Sequence, residues 1–287
     1  MGRKLVLVGS KLTDLNAPKL VKVDAIESAG SLLLLDPAHP TGGWAAGVPA
    51  NGDVSRNLFA STAATVTGGT PSAMQGKFVR GAGWDGTKGF LERTGKGGLH
   101  GVVSTTAADL TTVFYNQLGD GLKAHLLSSG HAFFFSIWSR VTRESTGNGV
   151  ALLALNAGQP ASGNYLANYR LDENLPNNGR IADHLMGNKL VNGYSTGWTG
   201  TQKPSNVGGF NGLAMVLGGD GTYNYMDSMA KISGSRIYYR YYIEDLTVSG
   251  RSYSDVDSID SALYTKEVLT AGGRYYNDSF SYPSALA

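Results

Sequence analysis

The sequence predicts a mainly β chain folded as a β-sandwich, and three observations predict it. Residues 236–248, RIYYRYYIEDLTV, are dominated by β-branched and aromatic side chains and contain no Gly or Pro. Such residues suit a pleated, half-buried surface and make this a central strand. Residues 131–141, HAFFFSIWSRV, repeat that character. The 40 glycines of the 287 residues are about twice the usual share and have no three-residue period, so collagen is excluded and many turns are implied. Strand side chains alternate, so Ile237, Tyr239, Tyr241 and Ile243 are expected on one side of the central strand. Tyr238, Arg240, Tyr242 and Glu244 then fall on the other.

Residues 1–75 read as an extended N-terminal arm and residues 76–287 as the sandwich domain. Within the arm, 20–26 and 32–35 are short apolar runs compatible with strands. Pro18, Pro37, Pro40 and Pro49 interrupt them, and 60–72 is rich in Ala, Gly, Ser and Thr. Little here builds a core alone. The segment packs on its own domain, packs on a neighbouring subunit, or serves as a flexible linker.

From Lys77 the turn signals become regular. Residues 78–80, 89–91, 102–103, 152–155, 165–171, 189–191 and 213–217 are strand candidates between Gly- and Asn-rich stretches. Residues 107–127 break the pattern, because Leu110, Val113, Phe114 and Leu118 have helical spacing. Gly119-Asp120-Gly121 is expected to end or kink that helix. After the central strand, Ser254 and Asp257 resemble a capping box, and Val256, Ile259 and Leu263 carry a second helix to about Val268. Gly272-Gly273 closes it. The aromatic, charge-poor residues after it are expected to dock on something.

A net charge of +2 without a Lys/Arg cluster argues against a nucleic-acid binder. The absence of Cys removes disulfides, thiolate catalysis and Cys–zinc sites, and fits assembly in a reducing cytoplasm. The apolar run at 5–8 is too short for a signal-peptide core or a membrane span.

The chemical motifs give no catalytic site. GAGWDG at 81–86 has dinucleotide-fingerprint spacing but no helix pattern after it, so it reads as a turn. GYSTG at 193–197 has nucleophile-elbow spacing and likewise lacks the following helix. His39, His100, His125, His131 and His184 are scattered without a metal-ligand spacing. His131 reads as a satisfied residue at a strand edge. Asp172-Glu173-Asn174 and Asp220-Gly221 read as turn caps rather than calcium ligands. Glu244 and Asp245 point to opposite strand faces and make no glycosidase pair. Tyr238, Tyr242, Tyr275 and Tyr276 either stack on sugar rings or pack between sheets or subunits, and packing is the preferred reading.

HAFFFSIWSRV together with RIYYRYYIEDLTVSGRSYSDVDSIDSALY resembles laminin-G-like, concanavalin-type jelly rolls. The N-terminal DAIESAGSLLLLDPAHPTGGWAAGVPANG looks like the arm of structural proteins in tailed-bacteriophage particles. The resemblance implies a jelly-roll β-sandwich with an N-terminal arm and one or two short helices, in a virion setting. The helix at 107–127 departs from the laminin-G pattern, and the family's calcium- and sugar-binding residues have no matching positions here. The resulting expectation is a non-enzymatic virion component, a capsid decoration or a neck or tail appendage, assembled in the host cytoplasm. It would bind copies of itself and other virion proteins, without cofactor or metal. The alternative is a carbohydrate-binding jelly roll of a tail fibre that recognises a host-surface glycan.

Overall fold

The computed structural model describes residues 24–39, 43, 44, 47–146, 151–157, 164–170, 173–176, 178–181, 183–218, 231, 234–281 and 286. In chain order its first strands are β1 (Ser31–Leu35), β2 (Val54–Ser55), β3 (Gly76–Arg80), β4 (Gly89–Arg93), β5 (Leu99–Val103), β6 (Val113–Gln117) and β7 (Phe133–Arg143). There follow β8 (Ala151–Asn156), β9 (Tyr165–Arg170), β10 (Glu173–Leu175), β11 (Gly179–Arg180), β12 (Gly187–Ser195), β13 (Asn211–Gly218) and β14 (Ser235–Asp245). The principal helices are α1 (Ala60–Thr67), α2 (Asp120–Ser128) and α3 (Tyr253–Tyr264).

Two open antiparallel sheets of seven strands each pack face to face. One runs β11-β12-β7-β14-β5-β4, with β1 also paired to β14; the other runs β10-β9-β8-β13-β6-β3-β2. The strand that the sequence marks as central is β14, and every residue of it is buried. It can be apolar on both faces because both are covered. Its inner face joins the sandwich core with Phe114, Phe135 and Leu217, and its outer face lies under α3 and the segment after it, against Val256, Tyr264, Val268 and Tyr275.

The expected alternation along β14 is broken once. Its register against β7 shifts between Tyr238 and Arg240, which makes Tyr239 an extra residue. A one-residue bulge reverses which face later side chains take. Tyr238, Tyr241 and Ile243 therefore all join the inner core, while Tyr239 and Tyr242 pack outside. The split predicted from strict alternation fails at this point. Strand β13 has a matching irregularity between Ala214 and Leu217, with Met215 at φ 50°. There the Val216 carbonyl accepts a hydrogen bond from the Tyr238 hydroxyl across the sandwich.

The described part of the N-terminal segment is built into the sandwich. Strand β1 pairs antiparallel with β14, and Ile26 and Leu32 to Leu35 are buried. The Ala-rich stretch forms α1, whose Ala60, Ala63 and Ala64 are buried at helical spacing. Residues 20–23 of the expected first strand lie outside the described residues.

The helix expected over 107–127 is replaced by a strand and a shorter helix. Val113–Gln117 forms β6, in which Phe114 and Asn116 are buried and their neighbours half-buried, a period of two. Pairing with β3 and β13 on its two sides decides this. Gly119 is the N-cap of α2 and so begins a helix rather than ending one. The capping box lies two residues earlier than expected: Asp255 N–H donates to Ser252 Oγ, and Ser252 N–H donates to the Asp255 carboxylate. No helix among the described residues is long and apolar enough to cross a membrane.

Candidate functional site

The bulge fixes the parity of β14, and the strand ends with Asp245 at the rim of the sandwich. Two other elements meet it there. Helix α2 delivers His125, and the turn before β7 delivers His131. His125 Nε2 and His131 Nδ1 each lie 2.7 Å from Asp245 Oδ2. The other carboxylate oxygen, Oδ1, accepts from the Val248 N–H at 2.9 Å and caps the helical turn Leu246–Ser249. The Asp245 side chain is fully hidden, whereas His125 is 11% and His131 32% exposed. The two imidazoles stand edge to face at 5.5 Å, and Phe133 flanks His125 at 5.9 Å. Burial alone would raise the Asp245 carboxyl, but the two histidines and the Val248 N–H more than offset it and hold it below the usual carboxylate range.

Beside this cluster lies an open groove of about 480 Å³. Ala132, next to His131, and Leu246 and Thr247, next to Asp245, line one side. Tyr194, from the end of β12, and Tyr253, from the first turn of α3, line the other with Arg251 and Ser252. The two tyrosine rings lie 5.2 Å apart, and the Tyr253 hydroxyl donates to Asn192 Oδ1 at 2.9 Å. Arg251 is fixed by the buried Glu244: its Nε donates to Oε1 at 2.8 Å, and a second N–H reaches Oε2. That arrangement presents two half-buried aromatic rings, a guanidinium and several hydroxyls to solvent.

The tyrosines singled out from sequence lie elsewhere. Tyr238 and Tyr242 are fully buried and Tyr275 is 2% exposed, so none offers a ring face to a sugar. They are packing residues with satisfied hydroxyls: Tyr242 donates to Glu244 Oε2 at 2.6 Å, and Tyr275 to Asp36 Oδ1 at 2.6 Å. Tyr276 is half-buried beside Tyr275. The preferred packing reading fits this burial and the sugar-stacking alternative does not: Tyr238 lies in the sandwich core, while Tyr242 and Tyr275 lie in the clusters between the outer face of β14 and α3 with the segment after it.

The other motifs fall out simply. GAGWDG forms the turn between β3 and β4. Ser195 of GYSTG is buried and donates to the Gly197 carbonyl at 2.9 Å, so it is no exposed nucleophile. Asp172, Asp220 and Gly221 lie outside the described residues. Asn174 is buried, and its amide donates to the carbonyls of Arg180 and Asn192.

Sequence reasoning missed the meeting of His125 and His131 with Asp245. The pair are six residues apart, at the end of a helix and the start of a strand, and their carboxylate is more than a hundred residues away. The only local signal was two histidines flanking LLSSG, which is the end of α2 and the turn after it. No family model matches this chain, and no curated protein matches its sequence.

Proposed function

We propose that this sandwich is a laminin-G-like, concanavalin-type jelly roll serving as a non-enzymatic structural component of a tailed-bacteriophage particle, assembled with copies of itself and with other virion proteins. The topology supports the jelly-roll reading. The first and last described strands, β1 and β14, pair antiparallel within one sheet, and the chain passes repeatedly between sheets, as at β5–β6, β7–β8 and β12–β13. The virion setting rests on the resemblance of the N-terminal and strand sequences, which is an analogy.

One observation carries the assembly reading. Ile181, Leu185 and Met186 are 43, 52 and 58% exposed in the connection from β11 to β12. Strand β11 is the last strand at its end of the sheet. Exposed apolar side chains beside an open strand edge are the surface that a second chain covers. The test is the mass of the full chain in solution, measured by light scattering, beside the variant L185E/M186E. A trimer or larger wild type and a smaller variant are expected. A monomeric wild type unaffected by the substitutions would overturn the reading.

The groove favours a second reading, a carbohydrate-binding module of a tail fibre. Tyr194 and Tyr253 offer the ring faces that Tyr238, Tyr242 and Tyr275 do not, and Arg251 with Ser252 supplies polar groups beside them. A glycan array on wild type and on Tyr253→Ala tests it. Binding lost with folding intact supports the reading, and an empty array removes it.

A further inference from the structure

We propose that His125, His131 and Asp245 form a binding site for one divalent transition-metal ion of the zinc type. The three donor atoms, His125 Nε2, His131 Nδ1 and Asp245 Oδ2, lie within 4.8 Å of one another. They come from three elements, so the ion would pin α2 and the start of β7 to the end of β14. Two imidazoles and one carboxylate suit zinc and its first-row neighbours and do not suit calcium or magnesium, which take oxygen donors.

The geometry is close to what an ion needs. Tetrahedral zinc with bonds near 2.0–2.1 Å spaces its donors roughly 3.3 Å apart. The two N–O separations of 2.7 Å must therefore widen by about 0.6 Å. His131 is 32% exposed and has room to make that movement. Asp245 is already oriented, because the Val248 N–H holds Oδ1 and turns Oδ2 toward the histidines, the outer-sphere support that metal-binding carboxylates usually have. Three protein donors leave a fourth position for water. The partial exposure of His131 gives the ion a path in, and the groove opens beside it through Ala132 and Thr247.

The competing arrangement is a hydrogen-bonded triad that only caps the turn after β14. The two differ in a direct experiment. Untagged full-length chain, stripped with chelator, is titrated with Zn²⁺ alone by calorimetry and with Co²⁺ alone by visible absorption. One Zn²⁺ per chain is expected, with a Co²⁺ d–d band of low-coordinate intensity. The melting midpoint should rise by roughly 5 °C when free Zn²⁺ is a hundredfold above Kd. His131→Ala and His125→Gln should each weaken binding at least tenfold, while His184→Ala leaves it unchanged. If one histidine variant fails to fold, the other variant and the wild-type Co²⁺ spectrum still decide. No binding by the wild type overturns the proposal, and so does binding that survives both histidine substitutions.

Discussion

The guanidinium of Arg240 forks onto the carboxylate of Asp24, with N–H···O distances of 2.9 and 3.0 Å across 216 residues of chain. Arg240 is only 2% exposed, and its other surface lies 4.6 Å from the centre of the Trp138 ring. Removing the carboxylate takes away the hydrogen-bonded partner of a buried cation and leaves it only the fields of Asp260 and Asp36. Asp24→Ala should cost about 3–5 kcal/mol, measured by denaturant unfolding. The double variant Asp24→Ala/Arg240→Met should recover much of that loss. A single-variant cost below about 1 kcal/mol would mean that Arg240 reaches solvent.

The same pair predicts a pH dependence. Burial raises the Asp24 carboxyl, but the charge and hydrogen bonds of Arg240 outweigh it, and the folded-state value lies below the usual one. A depressed carboxyl contributes stability that is fully present above its unfolded value, near about 3.9, and lost as pH falls through its folded value. The stability gap between wild type and Asp24→Asn should be flat above about pH 5 and close in stronger acid. A gap that closes as pH rises from 5 toward 8 would contradict this assignment.

Tyr238 ties the two irregular strands together. Its hydroxyl donates to the Val216 carbonyl, which sits in the irregular stretch of β13. Tyr238→Phe keeps the ring and removes the donor inside a buried core. The expected cost is about 1–2 kcal/mol, with no change in the circular dichroism spectrum. A neutral result would require another donor to reach that carbonyl.

Gly101 in β5 lies against Phe114 and Leu217 of the opposite sheet. A methyl group there would lie 2.5 Å from Leu217 Cδ2 and 2.7 Å from Phe114 Cε1. Phe114 cannot yield easily, because Phe78, Trp84 and Tyr238 surround it at ring separations of 5.6, 5.1 and 6.2 Å. Gly101→Ala should cost about 1–3 kcal/mol and lower the melting midpoint by several degrees. An unchanged midpoint would show that the sheets separate without strain.

Strand identity was legible wherever residue type alone decides it. Strands β7 and β14 announce themselves by β-branched and aromatic content, and both are buried almost throughout. The side-chain faces of β14 were not legible, because the bulge at Tyr239 is a property of its register with β7. The stretch around Phe114 fits a helix and a strand equally well by spacing. Only its pairing with β3 and β13 chooses. Packing was the preferred reading of the tyrosines, and the burial of Tyr238, Tyr242 and Tyr275 fits it, but which elements cover them was not legible. The site at Asp245 was out of reach because its parts meet only after the sheet has formed.

The pairing of β1 with β14 sets the order in which the molecule is completed. Strand β14 lies between β7 on one side and β5 and β1 on the other, yet its residues are made after all of them. A chain still on the ribosome therefore holds three strands whose common neighbour does not yet exist. Their edges on that side stay open until β14 is made, and closing the sheet joins residues more than two hundred positions apart. Such non-local closure is slow and exposes sticky edges meanwhile. Closing of this sheet thus waits on β14, and until that strand is made the edges it will pair with are open to other chains.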